Sequence, residues 1–173
     1  MFDHIPERQD LALYWSAFLH DFGKGRAAHY DGDRIRFPEH AQLGAEIFKK
    51  EIAPFLKFSK ALIRDIYWLI DKHHWFDDFD NTKLVTRLRY YDHPQFDNLI
   101  KLHKADIYGC IPSVPESRKK PLDRLKLIQE NYHYAHQQKL LPSYKQEFFS
   151  GEEIMSITGL KPGKRVGELL SQL

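Results

Sequence analysis

Apolar residues recur at helical spacing through nearly the whole of this chain, and no alternating pattern of any length competes with them. Leu11, Tyr14, Trp15, Phe18 and Leu19 keep the i, i+3, i+4, i+7, i+8 spacing that turns one helix face toward a core, with Asp10 placed as N-cap. That stripe ends in His20-Asp21, and Gly23 and Gly25 then break the helix. Residues 26–37 read as a loop or short hairpin turning at Asp31-Gly32-Asp33. Pro38-Glu39 opens a second helix with His40, Leu43, Gly44, Ile47 and Phe48 on one face. A third helix, from about Ser59 to His74, carries the stripe Ile63, Ile66, Tyr67, Ile70 into His74. A fourth spans about Thr82 to Tyr91, and a fifth about Gln95 to Tyr108, where Leu99, Leu102 and Asp106 align. Amphipathic helices bury their stripes only against one another, so the expected core is an all-α bundle.

The character changes after Gly109. Pro112, Pro115 and Pro121 with Arg118, Lys119 and Lys120 read as a linker, followed by a helix from about Leu122 to Lys139 that Pro142 ends. A small helical tail comes last: a helix start at Ser150-Gly151-Glu152-Glu153, a turn at Gly159-Leu160-Lys161-Pro162-Gly163-Lys164, and a final helix Arg165–Leu170. The expected division is a helical core over residues 1–109 and a linker, long helix and tail over 110–173. A length of 173 residues supports a proper core, and 42% hydrophobic with 14% aromatic residues excludes disorder. A net charge of +2 does not by itself point to nucleic acid. The single cysteine, Cys110, excludes an internal disulfide framework and fits a cytoplasmic location. No apolar run is long enough for a membrane span, so no membrane partner is expected.

Chemistry enters through the side chains that end the stripes. Imidazole and carboxylate together hold divalent transition metals, and His20, Asp21, His40, His74 and Asp106 offer that set from separate helices. Any one of these histidines, taken alone, is better explained as a hydrogen-bonded boundary residue. Gathered at one end of a bundle, they would be costly to desolvate without a cation. His73 adjoins His74, and a one-residue shift in register would exchange them. In the tail, glycines, a helix N-terminus and Lys161, Gly163, Lys164 and Arg165 suit a nucleic-acid phosphate. The same turn equally suits a staple that docks the tail on the bundle.

The Leu-His-Asp-Phe-Gly-Lys run over residues 19–24 resembles the HD superfamily of metal-dependent phosphohydrolases. Asp31-Gly32-Asp33, Phe37, His40 and Gly44-Ala45 resemble the run after the doublet in the HD domains of bacterial tRNA nucleotidyltransferases. Ala105-Asp106-Ile107-Tyr108-Gly109 and the tail from Ser150 to Leu170 resemble their later motifs in the same order. The resemblance runs from about residue 15 to the end of the chain. It implies His20, Asp21 and Asp106 as metal ligands, His40 and His74 as histidines that complete or enlarge the site, and Lys24 as a cation facing a substrate phosphate. Asp21 and Lys24 would serve catalysis.

Two departures accompany it. The family's first histidine lies on a helix upstream of the doublet; nineteen residues precede His20 here, His4 is the sole candidate, and that helix is expected to be absent. The nucleotidyltransferase head, with its Gly-Ser and paired carboxylates on a strand, is not found, so addition of CTP and ATP is not expected. The implied activity is that of a phosphatase or phosphodiesterase acting on a nucleotide or RNA-end phosphoester, with tRNA among the implied partners. Mixed imidazole and carboxylate donors favour Mn, Fe, Ni, Co or Zn over Mg. The competing expectation is a non-catalytic RNA-binding or interaction module derived from the body and tail of such an enzyme.

Overall fold

The computed structural model describes residues 8–109 and 118–145, with Glu152, Met155 and 158–167 of the tail. Helix α1 (Arg8–Leu19) begins ahead of the expected cap, so Asp10 lies within its first turn. After the His20-Asp21 turn come a short helix α2 (Lys24–Ala27) and an antiparallel hairpin, β1 (His29–Asp31) with β2 (Arg34–Arg36). Gly32 takes φ 60 at the first of the two loop positions, where a tight hairpin needs a positive φ. Every strand residue is exposed, so the hairpin adds no core.

The second expected helix is longer than its stripe suggests. α3 (His40–Ile47) passes into a π-helical stretch, Phe48–Ile52, and on into α4 (Ala53–Leu56), with Pro54 in the first turn of α4. Proline is tolerated there because a first-turn N–H has no helical partner in any case. α5 (Lys60–Lys72) starts at Ser59, whose Oγ accepts the Leu62 N–H at 3.2 Å. A 3₁₀ stretch, Trp75–Asn81, leads to α6 (Leu84–Tyr91) and α7 (Phe96–Gly109).

α8 (Lys119–Gln137) takes in Lys119, Lys120 and Pro121, residues whose composition suggests a linker; Pro121 again sits in a first turn. α8 closes with Lys139 in the left-handed region (φ 50) and Leu140 N–H donating to Ala135 O at 2.9 Å, a hydrogen-bonded stop that does not use Pro142. Pro142 instead opens α9 (Pro142–Lys145). The linker residues 110–117, His4, Cys110 and most of the expected tail helices lie outside the described residues.

The chain divides into two compact units that do not follow chain order: residues 1–82 with 94–127, and 83–93 with 128–173. In the first, α1 packs on α5 and α7, and α3 packs on α5. Its centre is Phe48, Ile66, Leu69, Ile70, Phe76, Phe96 and Leu99, all fully buried. Trp75 meets Phe76, Phe79 and Phe96 edge-on at ring distances of 5.3, 5.5 and 5.9 Å, which pins the 3₁₀ stretch that follows the histidines. In the second unit Tyr132 packs edge-on against Tyr91 and His136, and Ser143 donates to the Asp92 carboxylate from both N–H and Oγ. No helix among the described residues is long and apolar enough to cross a membrane.

Candidate metal centre

Four histidines of the first unit, His20, His40, His73 and His74, reach the site from the ends of elements, and in the first three a backbone bond sets the ring. His20 Nδ1 donates to Ala17 O at 2.9 Å, His40 Nδ1 to Phe37 O at 2.8 Å, and His73 Nδ1 to Ile70 O at 2.7 Å. A carbonyl only accepts, so each of these nitrogens carries the proton and each neutral ring keeps its lone pair on Nε2. His74 is set the same way by a carboxylate, Nδ1 lying 2.7 Å from Asp77 Oδ2. Such partners on the far nitrogen are what orient metal-binding imidazoles.

Three of these Nε2 atoms gather around Asp21, and that of His74 lies beyond, against His40. Asp21 Oδ2 lies 3.5 Å from His20 Nε2, and its Oδ1 lies 3.5 Å from His40 Nε2 and 3.9 Å from His73 Nε2. Asp106 Oδ1 stands 3.5 Å from His20 Nε2 on the other side. Lys24 donates from Nζ to Asp21 Oδ2 at 2.7 Å, with the Phe37 ring 5.8 Å away. One close approach holds this together: Gly23 packs so tightly on α3 that a Cβ there would lie 2.0 Å from His40 O and 2.6 Å from Gly44 N. Bare backbone at Gly23 is what lets the doublet turn reach His40. Glu39, just ahead of His40, takes a left-handed φ of 54, a cost borne at the entry to α3.

Two features are hard to satisfy without a cation. His73 Nε2 is buried with no hydrogen-bond partner, its side chain only 2% exposed. His40 Nε2 and His74 Nε2 face each other at 3.1 Å, two lone pairs in opposition when both rings are neutral. Ligand atoms of His40, His73 and His74 all lie within 4.8 Å of one another. Two nitrogens bound to one ion at about 2.0–2.1 Å stand no more than about 4.2 Å apart, so the facing pair already fits that span.

The sequence residues are thus distributed plainly. His20, Asp21, Lys24, His40, His74 and Asp106 come together in the first unit. Lys161, Gly163, Lys164 and Arg165 belong to the second unit and are exposed. His73, which the sequence reading ranked below His74, is the most buried imidazole of the group, whereas the His74 side chain is 44% exposed. The signal for it was the stripe Leu62, Ile66, Leu69, Ile70, which is the deeply buried face of α5 and runs into His73. Reading Ile63 and Tyr67 as its members rotates the face toward His74.

Titration follows the same geometry. Burial pushes His73 down to about 3 and also lowers His40 and His103, the latter stacked on Phe76 at 4.4 Å. His20 moves the other way, raised chiefly by its pairing with Asp106. Burial works against ionisation of Asp21, but Lys24 and His20 outweigh it and hold the carboxyl below its ordinary value. A histidine lowered on folding contributes stability that is full above its unfolded value near 6.5 and lost as pH falls; His20 contributes the opposite sign, present below 6.5 and lost as pH rises through its raised value. The lowered set dominates, since His73 shifts furthest. Metal-free protein is therefore expected to melt at progressively lower temperature as pH drops from about 7 to about 5. A flat or rising melting temperature in calorimetry of chelator-treated protein would contradict this.

The HD domain family matches the chain over residues 1–110. An A-adding tRNA nucleotidyltransferase of Deinococcus radiodurans is 31% identical over 169 residues, covering 95% of this chain and 37% of the relative. A CC-adding tRNA nucleotidyltransferase of Thermus thermophilus is 27% identical over 162 residues, covering 91% of this chain and 34% of the relative. The chain thus spans about a third of the length of these relatives. No solved structure matches it. With the doublet, its neighbouring histidines and the distant aspartate in one place on a helical scaffold, the chain belongs to the HD domain family.

Proposed function

We propose that this chain is a metal-dependent phosphohydrolase acting on a phosphoester of a nucleotide or an RNA end. The observation that carries the reading is the buried Nε2 of His73, without a hydrogen-bond partner, beside the Nε2 atoms of His40 and His74 facing each other at 3.1 Å. The donors fall on two sides of Asp21: His20 and Asp106 toward Oδ2, and His40 and His73, with His74 beyond, toward Oδ1. Asp21, His20, His40, His73, His74 and Asp106 are the side chains that would hold a divalent ion there. When bound, a divalent transition metal supplies Lewis acidity to a phosphoryl oxygen and makes water acidic enough to attack near neutral pH. The imidazole-rich set favours Mn, Fe, Co, Ni or Zn over Mg.

The chain's own groups do the rest. The Nδ1 bonds to Ala17, Phe37 and Ile70 keep the rings from turning and hold the proton on the outer nitrogen. Lys24, tethered to Asp21, presents a point charge where phosphoryl oxygens gain negative charge. The names of the relatives make a tRNA end a natural substrate to try, in a cytoplasmic setting. The exposed Lys161, Lys164 and Arg165 supply charge for an RNA backbone.

The test is metal analysis of the purified protein combined with turnover of bis-p-nitrophenyl phosphate across Mn, Fe, Co, Ni, Zn and Mg. Retained transition metal and turnover that follows it are expected. Protein that takes up no metal and hydrolyses nothing under any of them overturns the reading, and retained RNA binding in that protein would make it a non-catalytic RNA-binding module.

A further inference from the structure

The 3₁₀ stretch Trp75–Asn81 has His74 at its head, and its two sides are held differently. Trp75, Phe76 and Phe79 bury the inner side in the core, while Asp77, Asp78 and Asp80 are exposed on the outer side. Hydrogen bonds along a 3₁₀ turn are poorer than those of an α-helix, so such a segment gains from outside support. Arg124 of α8 supplies it. Its Nη2 donates to Asp80 Oδ2 at 2.7 Å and its Nη1 to Asp77 O at 3.3 Å. The contact joins residues 44 and 47 positions apart. Arg124 also lies beyond residues 1–110, the span that the HD domain family matches.

Asp77 is tied to His74 twice. Its N–H donates to His74 O at 3.1 Å, and its carboxylate accepts from His74 Nδ1 at 2.7 Å. The bond to His74 holds the Asp77 carboxyl below its ordinary value, so the carboxylate accepts and Nδ1 keeps the proton. His74 depends on this partner more than the other rings do on theirs. Backbone carbonyls set His20, His40 and His73, whereas a side chain sets His74, which is itself 44% exposed. Without that partner the ring is free to turn, or to move its proton to Nε2, the atom that faces His40.

We infer that Arg124 is a positioning residue of the metal centre: by holding the Asp77 main chain from α8, it keeps the Asp77 carboxylate against His74 Nδ1 and His74 Nε2 unprotonated toward His40. The consequence for metal rests on the phosphohydrolase reading above; the effect on the His74 ring does not. One guanidinium spans a carbonyl and a carboxylate at once, which the point charge of a lysine does not reproduce. Charge alone gives the opposite sign, because removing a cation near the site eases the binding of a dication.

The test compares wild type with Arg124→Met, Arg124→Lys, Asp77→Ala and the double variant Arg124→Met with Asp77→Ala. Methionine keeps an unbranched stem and removes the donors, and a partly exposed ion pair contributes little to stability, so folding should survive; thermal melting checks it. The first measurement is the tautomer of His74 in metal-free protein at about pH 8, above the ordinary imidazole value. Proton–nitrogen correlation NMR reads it, with the His74 signals identified by their loss in His74→Gln. Wild type is expected to show the proton on Nδ1, Arg124→Met a mixture with Nε2, and Arg124→Lys a state between them. The second measurement is Zn²⁺ affinity by competition with a chelator. Asp77→Ala is expected to lose about 10–100-fold and Arg124→Met a smaller part, about three- to tenfold. The double variant should lose no more than Asp77→Ala alone, since both act on one ring. A His74 tautomer unmoved in folded Arg124→Met, Zn²⁺ affinity unchanged or tighter there, or losses that add in the double variant overturns the inference. Should wild type hydrolyse no phosphoester, the phosphohydrolase reading falls while both measurements still decide the role of Arg124. Should it take up no Zn²⁺ either, the tautomer alone decides it.

Discussion

Asp21→Asn is expected to reduce both metal content and phosphoester turnover by at least about 100-fold, since loss of mere orienting partners already costs about 10–100-fold. The reason lies in what this carboxylate faces. It stands within 3.5–3.9 Å of three imidazole Nε2 atoms and also takes the Lys24 ammonium at 2.7 Å. Asparagine keeps the shape and removes the anion that faces three of the imidazoles, leaving Asp106 beside His20 and Asp77 beside His74. Metal analysis and steady-state kinetics on the same preparation check it, with circular dichroism as the folding control. His73→Ala should follow the same direction, and because that Nε2 is buried and unpartnered, metal-free protein should not suffer from losing it as a hydrogen-bonding group. Full metal content in Asp21→Asn would show that this carboxylate is no ligand.

Gly23→Ala should be the most damaging alanine substitution among the described glycines. The added Cβ meets His40 O at 2.0 Å and Gly44 N at 2.6 Å, and both are backbone atoms that cannot swing aside. Overpacking of this kind costs about 1–3 kcal/mol and sometimes more, and the depth of the clash places it at the upper end. At roughly 2–4 °C per kcal/mol for a chain of this size, melting should fall by roughly 6–12 °C. The same shift would push the doublet turn away from α3, so metal affinity should fall with stability. Gly25→Ala is the matched control: its Cβ meets nothing within 4 Å and it sits in α2. Alanine there should be neutral or stabilising by up to about 1 kcal/mol. Equal melting temperatures for the two variants would show that the Gly23–α3 approach is not what holds the turn.

Much of this was legible from residue order. Helical spacing located α1, α5, α6 and α7 to within a few residues, and Ser59 marked the start of α5. The all-α architecture and the HD family resemblance hold, the one sheet being the two-stranded hairpin whose turn Asp31-Gly32-Asp33 announced. Less legible were elements that depend on neighbours. The π-helical continuation Phe48–Ile52 puts a fully buried Phe48 into the core, and nothing local distinguishes it from ordinary helix. Lys139 and Glu39 hold left-handed conformations that their residue types do not favour.

The amino-acid order alone determined which faces of the helices are apolar, and that ligand-type side chains stand at their ends, because spacing along one helix is a local property. It could not decide between His73 and His74, since one residue is about 100° of rotation and either ring fits a stripe read with slightly different members. That choice was made by how α5 sits against α1 and α3, which buries Leu62, Leu69 and His73 together. Likewise the opposed nitrogens of His40 and His74, the bare backbone contact at Gly23 and the hold of Arg124 on the 3₁₀ stretch arise where separate helices cross. Distances across such crossings are set by packing of the whole unit, and no run of neighbouring residues encodes them.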